Sequence, residues 1–178
     1  MANSNQVTIS IRQARAHDNK LLAELGAETF YDSFAVDNTP ENVSAYLATS
    51  FSPEKQAAEL ADPNSKFLIA EIEGEVSGYA RVKFGDAPPE ITGQQPMEIA
   101  RFYARKRWIG QGVGAQLMRS CLNEARNAGC DVVWLGVWEK NRRAITFYRK
   151  WGFVEVGAQT FRLGDDLQHD LIMARTVA

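Results

Sequence analysis

The chain has little of what staples or metallates small proteins. Cys121 and Cys130 are its only cysteines. One sits inside an expected helix and the other just past its end, which suits two buried thiols better than a disulfide framework. The two histidines, His17 and His169, stand far apart without helical or CxxC-type spacing, so no metal site is expected. Long apolar runs are missing as well. No stretch approaches the length of a membrane-spanning helix, and Met1–Gln6 has neither the basic nor the apolar segment of an export signal. We therefore expect a cytoplasmic protein with no membrane partner. Nor is positive charge in excess: 20 Lys and Arg against 22 Asp and Glu give a net charge of -2. That leaves no global footprint for nucleic acid, while a cationic small molecule is allowed.

What is present describes an ordinary folded protein, with 45% hydrophobic, 24% charged and 10% aromatic residues, neither disordered nor fibrous. A length of 178 residues carries one core without covalent help, so residues 1–178 are expected to form a single domain. Along the chain, Val7–Arg12 alternates as a strand. Asp18 then reads as the N-cap of a helix bearing Leu21, Leu22, Leu25 and Phe30. Pro40 and Pro53 open two further short helices before Asp62. Phe67–Ala70, a turn at Glu73-Gly74 and the alternating run Val76–Phe84 form a hairpin. A Pro- and Gly-marked loop from Gly85 to Pro96 leads to a strand, Met97–Ala104. After glycines 110, 112 and 114, one helical face holds Val113, Leu117, Cys121, Leu122 and Ala125, and Gly129 suits its stop. Strand Val132–Val137 follows. Asn141 caps a short helix that ends at Gly152, and Phe153–Phe161 with Asp170–Thr176 close the chain as strands. The class is α+β or α/β with a mixed sheet, uninterrupted by repeat or linker.

The segment Trp108-Ile109-Gly110-Gln111-Gly112-Val113-Gly114-Ala115 joins a strand to a helix in a way that can hold phosphate. Glycines let backbone N–H groups approach an anion, and the helix N-terminus adds partial positive charge. A tight turn without a ligand would read the same way. A P-loop is excluded, because both its spacing and its lysine are missing. A dinucleotide fingerprint places its glycines at positions one, three and six with an acidic residue ending the next strand. Here they fall at one, three and five, and Asp131 begins that strand.

One strand later stands Asn141-x-x-Ala144-x-x-Phe147-Tyr148-x-x-x-Gly152-Phe153. Together with the glycine segment it resembles the GNAT superfamily of N-acetyltransferases, whose hallmark is R/Q-x-x-G-x-G followed by N-x-x-A-x-x-(F/L)-Y-x-x-x-G-F. The hallmark's leading Arg or Gln falls on Ile109, a departure. Glu28-Thr29-Phe30, Pro40-Glu41-Asn42, Ala45-Tyr46-Leu47, Trp134 to Asn141 and Asp170 to Ala174 further resemble PaiA-type spermidine/spermine N-acetyltransferases.

The resemblance implies a mixed, mostly antiparallel twisted sheet with a splayed central strand pair and flanking helices. It implies acetyl-CoA as co-substrate, with the backbone at Phe102, Tyr103 and Ala104 pairing with the pantetheine arm. Gly110, Gln111, Gly112, Val113, Gly114 and Ala115 would hold the pyrophosphate, and Asn141 would contact the cofactor arm beyond its plain role as a helix cap. Tyr148 is similar to the superfamily's general acid, and a phenol of pKa about 10 suits proton delivery to a departing thiolate of pKa about 8.5. An amine of pKa near 10.4 must lose a proton before it attacks. Glu98 stands where one branch keeps its base, whereas another branch's glutamate position is Gly136. Glu28, Phe30, Tyr31 and Asp32 fall where the superfamily often builds its acceptor site, and a polyamine is the implied acceptor. A protein N-terminus, an amino acid or an aminoglycoside stays open as acceptor. So does a non-catalytic acyl-CoA-binding module, and so does the oligomeric state, a homodimer included.

Overall fold

The computed structural model describes residues 7–177. The leader reading of Met1–Gln6 lies outside the described residues. β1 (Ile9–Gln13) leads through a short 3-10 turn to α1 (Asn19–Phe34), α2 (Pro40–Ser50) and α3 (Pro53–Ala61). Then come β2 (Ser65–Ile72), β3 (Glu75–Phe84), β4 (Pro96–Ala104), α4 (Val113–Asn127), β5 (Val132–Trp138), α5 (Arg142–Lys150), β6 (Val154–Leu163) and β7 (Asp166–Thr176).

Local chemistry accounts for the boundaries. Thr39 and Ser52 accept from the amides of Asn42 and Lys55, and Pro40 and Pro53 occupy the adjoining first-turn positions, where a missing N–H costs nothing. Glu73 and Gly74 both take positive φ, 53° and 81°, the geometry that closes a two-residue hairpin without splaying its strands. Asp18 does stand at the N-cap of α1 but makes no side-chain cap there. Its carboxylate is drawn back to Arg12, 2.8 Å away, and to the Arg15 amide at 2.7 Å. A charged donor outcompetes a neutral one for the same oxygens. The closing strands are longer than the sequence implies. Asp166–His169 falls outside both expected strands, yet it pairs with Thr160–Leu163 around a turn at Gly164.

The seven strands lie in the order β1-β2-β3-β4-β5-β7-β6. Every neighbouring pair is antiparallel except β4 and β5. α4 covers one face through Val113, Leu117, Met118, Cys121, Leu122 and Ala125. On the other face α1 sets Leu22 and Leu25 against Phe67, Ile69 and Tyr79. β2 is therefore covered on both sides, which is why it reads as an unbroken apolar run instead of alternating. Leu117 is fully buried, and truncating such a leucine to alanine costs about 2–5 kcal/mol. No helix among the described residues is long and apolar enough to cross a membrane.

One topological feature positions the site. β4 and β5 pair only over Pro96↔Val132, Met97↔Val133 and Glu98↔Trp134. Beyond Glu98 the two strands part, so the sheet is split along its middle and β4 keeps only β3 as a partner.

Candidate active site

A cleft of about 510 Å³ opens where β4 and β5 separate. Its floor at one end is the β4 edge from Ile99 to Ala104. In this stretch the pairing with β3 steps from Arg81↔Arg101 to Val82↔Ile99, so Ala100 is an extra, bulged residue that turns the strand locally. An edge with no neighbouring strand presents unpaired backbone N–H and C=O groups, a template for an extended ligand.

Past the β4 terminus the chain makes a 3-10 turn, Lys106–Trp108, and enters the glycine segment. Gly110 and Gly112 take φ of 82° and 94°, a region that L side chains avoid. Gly112 is the N-cap of α4 and has no side chain to satisfy the first-turn amides. Those donors stay available for an anion. An ideal Cβ at Gly110 would meet nothing within 4 Å, so open space adjoins the turn. The Arg105-Lys106-Arg107 run is partly committed elsewhere. Arg105 binds Glu28 at 3.2 Å and the Val76 carbonyl at 2.8 Å, and Arg107 pairs with Glu75.

α5 closes this end. The Asn141 Oδ1 accepts from the Ala144 amide at 3.2 Å, and Asn141 lines the cleft. About two turns later Tyr148 sits among Phe102, Phe147 and Phe153, with ring centroids 6.0, 5.6 and 5.9 Å away. It also lines the cleft. Among the described residues its hydroxyl has no partner. Burial pushes the phenol well above its ordinary pKa, so at neutral pH it keeps the proton it could donate.

The opposite end is made by side chains from distant elements. Phe30 and Phe34 of α1, Tyr46 of α2, Trp138 of β5 and Phe161 of β6 line it. Phe30 stacks on Tyr46 at 4.4 Å, Tyr46 meets Phe161 at 5.4 Å and Phe34 meets Trp138 at 5.7 Å. α2 is pinned to the β6–β7 turn, where Asn42 accepts from the Asp165 amide at 3.1 Å. Arg101 is neutralised by a fork to Glu59, 2.6 and 3.0 Å, and Glu59 also holds Arg81 at 3.3 Å. That cluster ties α3 to the sheet. Gly136 lies on the floor. An ideal Cβ there would stand 2.6 Å from the Gln159 amide nitrogen and 3.4 Å from a carboxylate oxygen of Asp170. The missing side chain leaves room for those two groups.

Of the residues singled out from the sequence, Phe102, Tyr103, Ala104, Gly110, Gly112, Gly114, Ala115, Asn141, Tyr148 and Phe30 line this one cleft. Val113 faces the core, and the Gln111 amide donates back to the Arg107 carbonyl at 2.8 Å. Neither side chain lines the cleft, so only their backbone amides are left to face an anion there. Glu98 is not among the lining residues. It stands 3.8 Å from Lys83, and burial raises its pKa against the pull of Lys83 and Arg81. Glu28 is turned to Arg105, and Tyr31 is 57% exposed. Neither these two nor Asp32 reaches the cleft. Asp170, expected from the sequence only as the start of the last strand and of a PaiA-like segment, also lines the cleft.

Residues 27–153 match the model of the Acetyltransferase (GNAT) family. An uncharacterized N-acetyltransferase in the pepI 3' region of Lactobacillus delbrueckii subsp. lactis is 34% identical over 95% of this chain and 98% of its own. Streptothricin acetyltransferase of Streptomyces lavendulae is 28% identical over 88% and 87%. Among solved structures, PaiA N-acetyltransferase from Thermoplasma acidophilum in complex with coenzyme A superposes with a TM-score of 0.76. It does so at 20% identity, covering 95% of this chain and 99% of that one.

Proposed function

The chain belongs to the acetyltransferase (GNAT) family, and we propose that it transfers an acetyl group from acetyl-CoA to a primary amine of a polyamine such as spermidine or spermine. One observation carries this reading. A single cleft runs from an unpaired strand edge and a left-handed glycine turn, past a free tyrosine hydroxyl, to a chamber walled by aromatic rings.

The residues present fit the cofactor. The β4 edge at Phe102, Tyr103 and Ala104 would pair with the pantetheine arm. The turn from Gly110 to Ala115 would take the pyrophosphate on backbone amides, and the Asn141 side chain would contact the arm. When bound, acetyl-CoA supplies an activated thioester. The protein's part is to orient it, exclude water and move protons. Tyr148, kept protonated by burial, gives its proton to the sulfur as the carbon–sulfur bond breaks. Glu98 assists removal of the amine proton through water, since its carboxylate does not line the cleft. Its raised pKa makes it a better proton acceptor than an ordinary surface glutamate. The ring-walled chamber suits the alkyl segments and ammonium groups of a polyamine.

A second reading, acetylation of an amine antibiotic, takes its support from the streptothricin acetyltransferase relative. A thiol-release assay on a panel of spermidine, spermine, streptothricin, an amino acid and a peptide N-terminus separates these. Polyamines should give the highest kcat/KM. If they are inert while another amine reacts, the acceptor assignment fails and the acetyl-transfer chemistry stands. Glu98→Gln should depress the rate most at the acidic end of the profile, where the free amine is scarcest.

A further inference from the structure

Asp170 is the only acidic side chain lining the cleft among the described residues. Its register partners Trp138 and Gln159 place it on the aromatic end, where its carboxylate and the Gln159 amide share the space over Gly136. The other carboxylates nearby are spoken for: Glu59 by Arg81 and Arg101, Glu98 by Lys83 and Glu28 by Arg105. Asp170 has no hydrogen-bond or ion-pair partner among the described residues. A half-buried carboxylate without a partner is costly, and a glycine at 136 preserves the room that leaves it accessible.

We infer that Asp170 holds an ammonium group of the acceptor other than the nitrogen that is acetylated, so that the aromatic chamber selects amines carrying a second positive charge. The inference rests on the proposed polyamine reading and extends it. Electrostatics separates the two nitrogens. A carboxylate touching the reacting nitrogen would stabilise its charged form and keep it from attacking. The same carboxylate on a distal ammonium binds without that penalty. Trp138 and Tyr46 line the same cleft, and aromatic rings favour a cation; the Trp138 ring already carries one, the Lys140 ammonium 5.8 Å from its centroid. Burial alone raises the Asp170 pKa, to about 6. No basic side chain offsets the burial: Arg101 of β4 is forked to Glu59, Lys140 lies over the ring of Trp138, the register partner of Asp170, and neither Lys140 nor the cleft-lining Arg143 of α5 figures among the causes of the shift. The cation that would settle the site has to come with the ligand.

The test compares an n-alkyl monoamine with the diamine of equal chain length and with spermidine, for the parent and for Asp170→Asn, at pH 8. The inference expects the parent to prefer the diamine roughly ten- to a hundredfold in kcat/KM, the range of a hydrogen bond between charged groups. Asp170→Asn should lose that preference, mainly through a KM for the diamine that rises far more than that for the monoamine, with the CoA affinity by calorimetry retained. A variant that keeps the preference overturns the inference and leaves the polyamine reading intact. Equal loss on monoamine and diamine also overturns it, because the carboxylate would then act on the reacting nitrogen or on the fold. A parent that acetylates no polyamine but does acetylate an amino acid or peptide removes the reading itself, and the inference falls with it.

Discussion

The two ends of the cleft are built by opposite means. The end proposed for the cofactor comes from residues 99–115 and the start of α5. It is mostly backbone: an unpaired strand edge, a bulge at Ala100 and two left-handed glycines. The end proposed for the acceptor assembles Phe30, Tyr46, Trp138, Phe161 and Asp170, whose positions span most of the chain, and under that proposal recognition would fall to side chains. A backbone site constrains sequence tightly, because only glycine tolerates those angles and any bulk at the edge blocks the ligand. A side-chain site constrains only which surfaces converge, and many residue sets meet that requirement.

If the contrast holds, damage at the cofactor end should fall on chemistry and cofactor affinity. Damage at the acceptor end should fall on the amine and on the fold that carries it. The largest effect is expected at Tyr148. Tyr148→Phe removes one hydroxyl and keeps the ring among Phe102, Phe147 and Phe153. It should lower kcat roughly 10²–10⁴-fold with CoA affinity by calorimetry unchanged. A variant as fast as the parent would make Tyr148 a packing residue.

Next comes Glu59. Replacing it with alanine strands Arg81 and Arg101, both nearly buried, and breaking such a cluster typically costs about 3–5 kcal/mol. Urea unfolding should show that loss. At temperatures where the variant is folded, kcat/KM for the amine should fall more than CoA affinity does. Equal effects on both would mean that the two ends are not separable. Gly112→Val should do the reverse. Its φ of 94° is strained for a β-branched residue by about 1–3 kcal/mol, so CoA affinity should drop roughly tenfold or more. The diamine-to-monoamine ratio should be retained. Unchanged affinity would mean that the turn does not bear on the cofactor.

The same contrast explains what the sequence could reveal. The strand, glycine turn and helix around Gly110, Gly112 and Gly114 are contiguous, and their spacing carries its own physical reason. Phe30 was the one acceptor-side residue of four that reaches the cleft. Glu28, Tyr31 and Asp32 share its helix, but a helix presents only one face. Which face was fixed by packing against Tyr46 and Phe51, contacts no local pattern encodes. Gly136 looked like a missing glutamate. In three dimensions the space above it is occupied by Gln159 and Asp170, delivered by a hairpin more than twenty residues further on. β7 itself was partly hidden, since Asp166–His169 is polar and its pairing is decided by the turn at Gly164.

The smallest expected effect sharpens the comparison most, because it concerns the fold without any ligand. The Asp170 carboxyl is raised from its ordinary value to about 6 by burial. An acid whose pKa is higher folded than unfolded binds its proton more tightly in the native state, so its ionisation opposes folding. That penalty is complete above about pH 6 and disappears as pH falls through the window towards 4, where the residue is protonated in both states. Asp170→Asn removes the penalty, so the variant should be the more stable protein at pH 7.5. With the group half open to solvent, the gain is discounted to about 1 kcal/mol, or roughly 2–4 °C in Tm for a chain of this size. Melting curves should show the gap closing between pH 6 and 4. A saturating diamine at pH 7.5 should also close it, by giving the parent's carboxylate the cation it lacks. If the parent were instead the more stable at pH 7.5 without amine, Asp170 would already have a partner within the protein, and the acceptor end would be a finished structural cluster with no charge left to offer a ligand.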